Sequence, residues 1–308
     1  MPPHAPGGLR GFLRELPLVG DGIRGGRALS RAKLRRLLRP LGFVQADTLG
    51  AFPPASAGAR GLIADLTEGA IRDTFPRLLD LQRLVDGSAG EVVVSSVAEF
   101  LAAQDNTELT ARAERLGHLL DAHGSDKLSV HDNAAFYAWL LGEPEQVRAT
   151  LEIGLGTNDT SVPSHMGRAG RPGASLRAFR DYLPRARVYG ADVDRGCLFA
   201  EERIATYFVD QTEPASLAAL DAAIDEPLDL IIDDGLHAPH ANLATLTFAL
   251  RRMRRHGCGA CVVEDIPERA LPLWHHVAGL LPDAEFDVQL LRGRAACLCL
   301  VRLRSDLA

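Results

Sequence analysis

The sequence lacks the features that would place the chain in a membrane, in a secreted disulfide-bonded class or on nucleic acid. No apolar run reaches the roughly 18 residues of a membrane-spanning helix, and the first residues lack the apolar core and cleavage segment of a secretory signal. The net charge of −6 leaves no excess of basic residues for nucleic acid. These absences predict a cytoplasmic protein with neither a membrane nor a nucleic acid as its partner.

Cysteine is scarce and has no metal-site pattern. The five cysteines are an odd number, which fits a reducing compartment better than a disulfide framework. Cys258 and Cys261 are spaced as a CxxC pair, but no second pair with zinc-ligand spacing accompanies them, and an apolar strand pattern surrounds them. We interpret them as thiols of the core.

Internal repeats and long low-complexity tracts are also missing. The chain instead divides into two regions by its predicted pattern of helices and strands. Residues 1–123 read as a mainly helical accessory region that carries no recognisable site motif. It includes the basic segment 31–39, interpreted as a surface helix with one apolar edge, and such edges are compatible with a homo-oligomer. From residue 124 to residue 308 strands and helices alternate, and we expect a second domain there.

The alternation in the second region predicts an α/β fold with a doubly wound, mostly parallel, seven-stranded sheet. The last two strands read as an antiparallel hairpin joined at residues 292–294. The expected strands are 150–153, 187–191, 206–209, 228–232, 261–263, 285–291 and 295–303, with a further candidate at 91–94. The expected helices are 71–85, 97–103, 109–120, 175–182, 197–204, one opened by Pro214, and 238–256, which Gly257 ends.

Acidic residues follow the strands of this region, and the densest group is 233–237. There an apolar strand stops at Asp233 and Asp234, followed by a glycine, Leu236 and His237. Because ligands of open α/β sheets bind at the carboxyl ends of the strands, these side chains should meet in one crevice. Carboxylate oxygens suit a hard cation, and a nearby imidazole can accept a proton.

The first turn of the region lacks the third glycine of a dinucleotide fingerprint. Gly154 and Gly156 let the backbone approach a ligand, but Asp159 stands where the third glycine is needed, which disfavours an NAD-dependent oxidoreductase. Asp192 follows Gly156 by 36 residues. Without an apparent insertion at 157–172, the spacing is about that of an acid that binds a ribose diol. We therefore expect a nucleoside site without a pyrophosphate, with the adenine at Asp210.

Several motifs resemble those of class I S-adenosylmethionine-dependent methyltransferases. At the class level they are 152–156, 190–194, 209–211 and the terminal hairpin. Segments 124–127, 174–177, 232–237 and 263–265 are similar to the metal-dependent sugar O-methyltransferases of macrolide biosynthesis, the mycinamicin and macrocin type.

The resemblance implies a role for each matching residue. Gly154 and Gly156 would lie against the methionine part of the cofactor, Asp192 would bind the ribose, and Asp210 with Gln211 the adenine. Asp234 and Asp265 would hold Mg²⁺, with Glu264 as the competitor of Asp265, and His237 would be the base. Glu152 and Asp233 complete the candidate cofactor residues, Asp233 as a supporting rather than a contacting group.

Two departures from the family pattern limit what the resemblance implies. Family members carry a glutamate after a tyrosine before the first strand, where this chain has Ala138 after Tyr137. The 157–172 insertion is expected to be a lid that faces a small-molecule acceptor. N-methylation, metal-independent transfer and a catalytically silent nucleoside-binding module therefore stay open beside Mg²⁺-assisted O-methylation.

Overall fold

A computed structural model describes residues 72–85, 92–104, 108–160, 162 and 164–304. Within this part of the chain, one nine-stranded sheet carries helices on both faces, which is the doubly wound α/β architecture that the sequence predicts. The accessory segment 1–71, with its basic stretch 31–39, lies outside the described residues. The division of the chain at residue 123 stays a prediction.

The strands are β1 Val94–Ser96, β2 Ala149–Ile153, β3 Arg187–Asp192, β4 Ala200–Glu201, β5 Ile204–Phe208, β6 Leu230–Asp233, β7 Ala260–Ile266, β8 Phe286–Arg292 and β9 Cys297–Leu303. The helices are α1 (residues 72–84), α2 Val97–Ala102, α3 Leu109–His123, α4 Asp126–Ser129, α5 Ala134–Leu141, α6 Ala174–Tyr182, α7 Pro214–Ala223, α8 Pro239–His256 and α9 Leu271–Leu280. Short 3₁₀ turns occupy Arg195–Cys197 and Glu268–Ala270.

The strand order is β1-β8-β9-β7-β6-β2-β3-β5-β4. The four central strands β7, β6, β2 and β3 are parallel, and β9 is the antiparallel strand inserted between β7 and β8. In register, Ile153 pairs with Ala191 on one side and with Asp233 on the other, and Asp233 pairs with Val263. The acidic strand ends therefore lie along one edge, and the crevice forms there.

The central strands are apolar on both faces because helices cover both. In β6, Ile231 packs into the core shared with α1, α7, α8 and α9, whereas Leu230 and Ile232 pack into the core shared with α3, α5 and α6. Continuous apolar runs of this kind are typical of buried parallel strands. Four of the five cysteines are buried, including Cys261, and all five are free thiols.

The expected number of strands is wrong: within the described residues the sheet has nine strands, not seven. Both additional strands are short and lie at the two edges. Strand β1 pairs with β8 and starts at Val94, three residues after the expected start of the 91–94 strand; residue 91 lies outside the described part. Two- and three-residue edge strands depend on pairing to a neighbour, and their own sequence carries little periodic signal.

The expected helix over 197–204 is also wrong, because this segment forms a 3₁₀ turn and then a hairpin. Asp194 caps the turn by accepting a hydrogen bond from Gly196 N–H, and Arg203 takes a left-handed φ of 61° that ends any helical course. The backbone N–H of Phe199 donates to Oγ1 of Thr206, and that hydroxyl donates back to the Phe199 carbonyl. Local side-chain bonding of this type competes with helix formation.

Helix α8 follows β6 and the loop that lines the crevice. It begins with Pro239 in its first turn and ends at Gly257, whose φ of 71° is the left-handed conformation that favours glycine at a helix end. Nearly all of its first three turns are buried. None of the described helices is long and apolar enough to cross a membrane.

Candidate active site

A cavity of about 460 Å³ opens at the carboxyl edge of the sheet, within the size range of small-molecule sites. Its lining brings together the first turn, the ends of β3, β5, β6 and β7, helix α4 and the 157–172 segment. The sequence-predicted residues that line it are Glu152, Gly154, Gly156, Asp192, Asp210, Gln211, Asp234, His237 and Asp265. Asp233 does not line it.

The first turn is held against the end of β6 by a contact that leaves no room for a side chain. Gly154 has a φ of 103°, and a Cβ there would lie 2.0 Å from the backbone oxygen of Asp234. The N–H of Asp234 in turn donates to the carbonyl of Ile153. This close approach fixes the position of the first turn relative to Asp234.

Asp192 lines the cavity, and two backbone N–H groups anchor its carboxylate. Its Oδ2 accepts from Leu155 N–H at 2.8 Å and its Oδ1 from Asp194 N–H at 2.8 Å. Burial raises the pKa of this carboxyl above its ordinary value, against the lowering effect of those hydrogen bonds. Each carboxylate oxygen has a second lone pair that a ligand can use. The carboxylate can therefore accept hydrogen bonds from the turn and from a diol at the same time.

The end of β5 provides a second polar corner. Asp210 uses Oδ1 to accept from the N–H and hydroxyl of Thr212. Gln211 is buried, and its amide donates to Asp233 at 2.7 Å and to Thr245 at 2.8 Å, while its oxygen accepts from Leu236 N–H. The Gln211 amide therefore connects the β5 end to the β6 loop.

Asp233 is fully buried and supports that corner from behind. Its carboxylate accepts hydrogen bonds from the amides of Gln211 and Asn242. Burial raises its pKa, and those two bonds oppose the rise. Asp233 consequently reaches the cavity only through the residues that it orients.

Lys127 is the centre of a buried charge cluster. Its ammonium lies 2.6 Å from Oδ2 of Asp234, 2.6 Å from Oε2 of Glu264 and 3.2 Å from Oε1 of Glu152. The Tyr137 hydroxyl donates to the other Glu264 oxygen. We call Lys127, Glu152, Asp234 and Glu264 the lysine cluster.

Charge compensation explains how the lysine cluster is tolerated inside the protein. Burial alone lowers the pKa of Lys127, but the three carboxylates raise it well above its ordinary value, so the ammonium stays charged. Burial likewise raises the pKa of Glu264, yet Lys127 and Tyr137 lower it overall. One cation faces three acids, and burial together with the neighbouring acids raises the pKa of Asp234 well above its ordinary value, against the lowering effect of Lys127.

Asp234, His237 and Asp265 converge next to the lysine cluster. One ligand atom of each lies within 4.8 Å of the other two, close enough for one ion to contact all three. Nε2 of His237 is 3.5 Å from Oδ2 of Asp265 and 3.8 Å from Oδ1 of Asp234. Burial lowers the pKa of His237, which keeps the imidazole neutral near pH 7.

The backbone at this corner is strained at two positions. His237 has a φ of 50° and Asp265 a φ of 54°, in the left-handed region that residues other than glycine rarely adopt. Such conformations cost about 1–3 kcal/mol each and concentrate at functional sites. Both residues that adopt this conformation bring a side-chain ligand atom within 4.8 Å of one of Asp234.

Hydrogen bonding separates the two acids of β7 that the sequence leaves as competitors. Both oxygens of Glu264 are engaged, by Lys127 and by Tyr137, and its side chain is buried. Asp265 instead lines the cavity, flanked by His237 and by His131, whose Nδ1 is 3.2 Å from Oδ1 of Asp265. The sequence contains both partners of Glu264, Lys127 in segment 124–127 and Tyr137 before Ala138. Their spacing along the chain does not show that they contact Glu264.

The 157–172 segment covers the first turn. Val162, Ser164, His165, Met166 and Arg171 of this segment line the cavity. The side chain of Asn158 donates to the carbonyls of Gly167 and Gly170, and Met166 N–H donates to the carbonyl of Thr157. Hydrogen bonds within the segment therefore stabilise its conformation. The side chain of Met166 lies over Gly156.

Curated relatives confirm the resemblance that the motifs indicate. The chain is 35% identical over 176 residues to 8-demethyl-8-alpha-L-rhamnosyl tetracenomycin-C 2'-O-methyltransferase of Streptomyces olivaceus, covering 56% of this chain and 42% of that protein. It is 37% identical over 122 residues to demethylmacrocin O-methyltransferase of Streptomyces fradiae, covering 40% and 28%. The chain thus spans less than half the length of these relatives. No family model matches it.

A solved structure gives a partial match. The MycE methyltransferase of the mycinamycin pathway, in complex with Mg, SAH and mycinamycin VI, is 21% identical in sequence, with a TM-score of 0.48. The match covers 62% of this chain and 55% of that one.

Proposed function

We propose that the protein transfers a methyl group from S-adenosylmethionine to a hydroxyl of a sugar attached to a small natural product. The observation that carries the proposal is the convergence of Asp234, His237 and Asp265 beside a cavity that Asp192 and the Gly154 turn also line. The similarity to sugar O-methyltransferases points to the same reaction.

The cofactor is proposed to lie along the strand ends from β5 to β2. Asp192 would accept hydrogen bonds from the ribose, with the adenine at Asp210 and beside the Gln211 corner, and Gly154 and Gly156 against the methionine part. Glu152 and Asp233 would act from behind, Glu152 through Lys127 and Asp233 through Gln211. The absence of a pyrophosphate turn agrees with a nucleoside that carries no diphosphate.

The donor set fits a hard divalent cation. Asp234 and Asp265 each present a carboxylate oxygen to the same point, and carboxylates with waters suit octahedral Mg²⁺. When bound, Mg²⁺ would lower the pKa of an acceptor hydroxyl. Ala138 stands where family members carry a glutamate, so Asp234 and Asp265 are the carboxylates proposed to hold the ion.

The chain's own residues supply the remaining chemistry. Nε2 of the neutral His237 would accept the proton of the acceptor hydroxyl as its oxygen attacks the methyl carbon. The carbon–sulfur bond breaks, and the electron pair stays on sulfur as S-adenosylhomocysteine. The sulfonium needs no activation, so in-line alignment of the two substrates is the main further requirement.

The acceptor class is inferred from the relatives. Their names specify 2'-, 2''- and 3-hydroxyls of glycosylated compounds, including rhamnosyl and olivosyl groups. A cytoplasmic location would fit such a biosynthetic role. We infer that the lid formed by 157–172 helps to select the sugar, since it lines the cavity at the side of the first turn.

The test is methyl transfer from S-adenosylmethionine carrying a CD₃ group to a panel of rhamnosylated and olivosylated compounds, followed by mass spectrometry. The His237→Ala variant should lose at least about a hundredfold in turnover, the usual contribution of a general base, while its affinity for S-adenosylhomocysteine is retained. His275→Ala, an exposed change on α9, is the matched control.

Full turnover by His237→Ala would refute the base assignment. Activity that survives excess EDTA would select the metal-independent alternative, and label on an amine would select N-methylation. Binding of S-adenosylhomocysteine without transfer to any acceptor would favour the silent binding module.

A further inference from the structure

Arg171 holds an unusual position in a cavity that is otherwise acidic. Seven carboxyl groups line the cavity: Asp126, Glu152, Asp192, Asp194, Asp210, Asp234 and Asp265. The permanent cations of the lining are Lys127 and Arg171. Lys127 is fully engaged by three carboxylates, whereas within the described part of the chain Arg171 has no ion pair.

The backbone of Arg171 is held by hydrogen bonds around the start of α6, and its side chain is exposed. Its carbonyl accepts from Ala174 N–H at the start of α6, and Gly173 N–H donates to the carbonyl of Leu155 in the first turn. The aliphatic part of the side chain packs over Gly124, where a Cβ would lie 3.0 Å from Cδ of Arg171. The guanidinium therefore stands at the rim between the first turn and the segment that leads to Lys127.

The methionine part of a cofactor would bring a further negative charge into this acidic cavity. Its α-carboxylate is an anion, and a carboxylate near the lysine cluster or near Asp192 would meet like charges at close range. Among the lining residues of the described chain, Arg171 offers the positive charge that is not already neutralised. Guanidinium groups bind carboxylates through paired N–H donors.

Resting on the proposed function, we propose that Arg171 of the lid binds the α-carboxylate of the methionine part of S-adenosylmethionine. The lid then has two separate tasks. Met166 covers Gly156 of the cofactor turn, and Arg171 anchors the charged end of the same cofactor. The residue belongs to the 157–172 insertion, so this chain supplies the anchor from a segment that is absent from the compact family loop.

Calorimetry with three ligands tests the assignment. Arg171→Gln should weaken the binding of S-adenosylhomocysteine about tenfold, as expected for loss of one charge-assisted contact at an exposed site. The same variant should bind decarboxylated S-adenosylhomocysteine and 5'-methylthioadenosine as tightly as the unaltered protein, because neither ligand carries the carboxylate. Arg171→Lys should recover part of the lost affinity.

Arg168→Gln is the matched control, since Arg168 is an exposed arginine of the same segment that does not line the cavity. Equal affinity of the unaltered protein and Arg171→Gln for S-adenosylhomocysteine would overturn the assignment. So would equal losses for all three ligands, which would indicate a disturbed lid. Failure of the unaltered protein to bind S-adenosylhomocysteine would instead refute the proposed function itself.

Kinetics provides a second readout. Once an acceptor that the protein methylates has been identified, Arg171→Gln should raise the KM for S-adenosylmethionine and leave kcat nearly unchanged. The reason is that the carboxylate contact is the same in the ground state and in the transition state. An increase in the acceptor's KM alone would show that the guanidinium serves the acceptor, and would overturn the proposal.

Discussion

Lys127 shows how one residue can organise an active site without taking part in the reaction itself. By occupying Oδ2 of Asp234, its ammonium leaves Oδ1 facing His237. By occupying one oxygen of Glu264, with Tyr137 on the other, it keeps that acid out of the cavity. The choice of Asp265 as the accessible acid of β7 follows from these contacts.

Removing the cation should therefore destabilise the protein strongly. Lys127→Met would leave Glu152, Asp234 and Glu264 close together without their counter-ion, and breaking a buried ion pair from one side costs about 3–5 kcal/mol. Urea denaturation measures the loss. Tyr137→Phe, which removes only the hydroxyl that bonds Glu264, should cost about 1–3 kcal/mol. A smaller loss for Lys127→Met than for Tyr137→Phe would contradict the central position of the lysine.

At the scale of elements, the site depends on the contact between the β2 turn and the end of β6. The two strands pair in register up to Ile153 and Asp233, and the following residues touch backbone to backbone. The turn and the catalytic candidates therefore form one rigid unit.

Gly154→Ala tests this contact. The added Cβ would collide with the Asp234 carbonyl at 2.0 Å, and the φ of 103° is unfavourable for alanine. We expect a loss of about 3 kcal/mol or more in unfolding free energy, in the range of severe backbone conflicts, together with loss of cofactor binding. The control is Gly257→Ala, which has a φ of 71° but nothing within 4 Å, and which should cost about 1–2 kcal/mol. Equal losses in the two variants would show that φ, not the collision, governs the cost.

The sequence predicted some elements better than others, and the reasons are physical. Strong local signals mark the central strands, the start of α7 at Pro214 and the end of α8 at Gly257. These signals are apolar runs and helix-terminal residues. The 197–204 segment carries an ambiguous apolar pattern, and side-chain bonds between Phe199 and Thr206 decide its conformation. The edge strands β1 and β4 exist through pairing alone.

For the whole molecule, the sheet edge could be predicted from sequence because parallel strands bring their carboxyl ends together. Asp192, Asp210, Asp234, His237 and Asp265 line one cavity as expected. The burial of Lys127 could not be read from spacing, and neither could the partners that hold Asp233 outside the cavity, although the sequence predicts Asp233 as a supporting group. Both depend on contacts between residues more than 20 positions apart, such as Lys127 with Glu264 and Gln211 with Asp233.

The central claim is that this cavity binds the nucleoside of S-adenosylmethionine through Asp192. The most direct test is calorimetric titration of the unaltered protein, Asp192→Asn and the exposed-site control Asp283→Asn with S-adenosylhomocysteine and, separately, with NADH. We predict one S-adenosylhomocysteine bound per chain, an affinity at least about tenfold lower in Asp192→Asn, and no change in the control. Binding of NADH in place of S-adenosylhomocysteine, or undiminished affinity in Asp192→Asn, would contradict it.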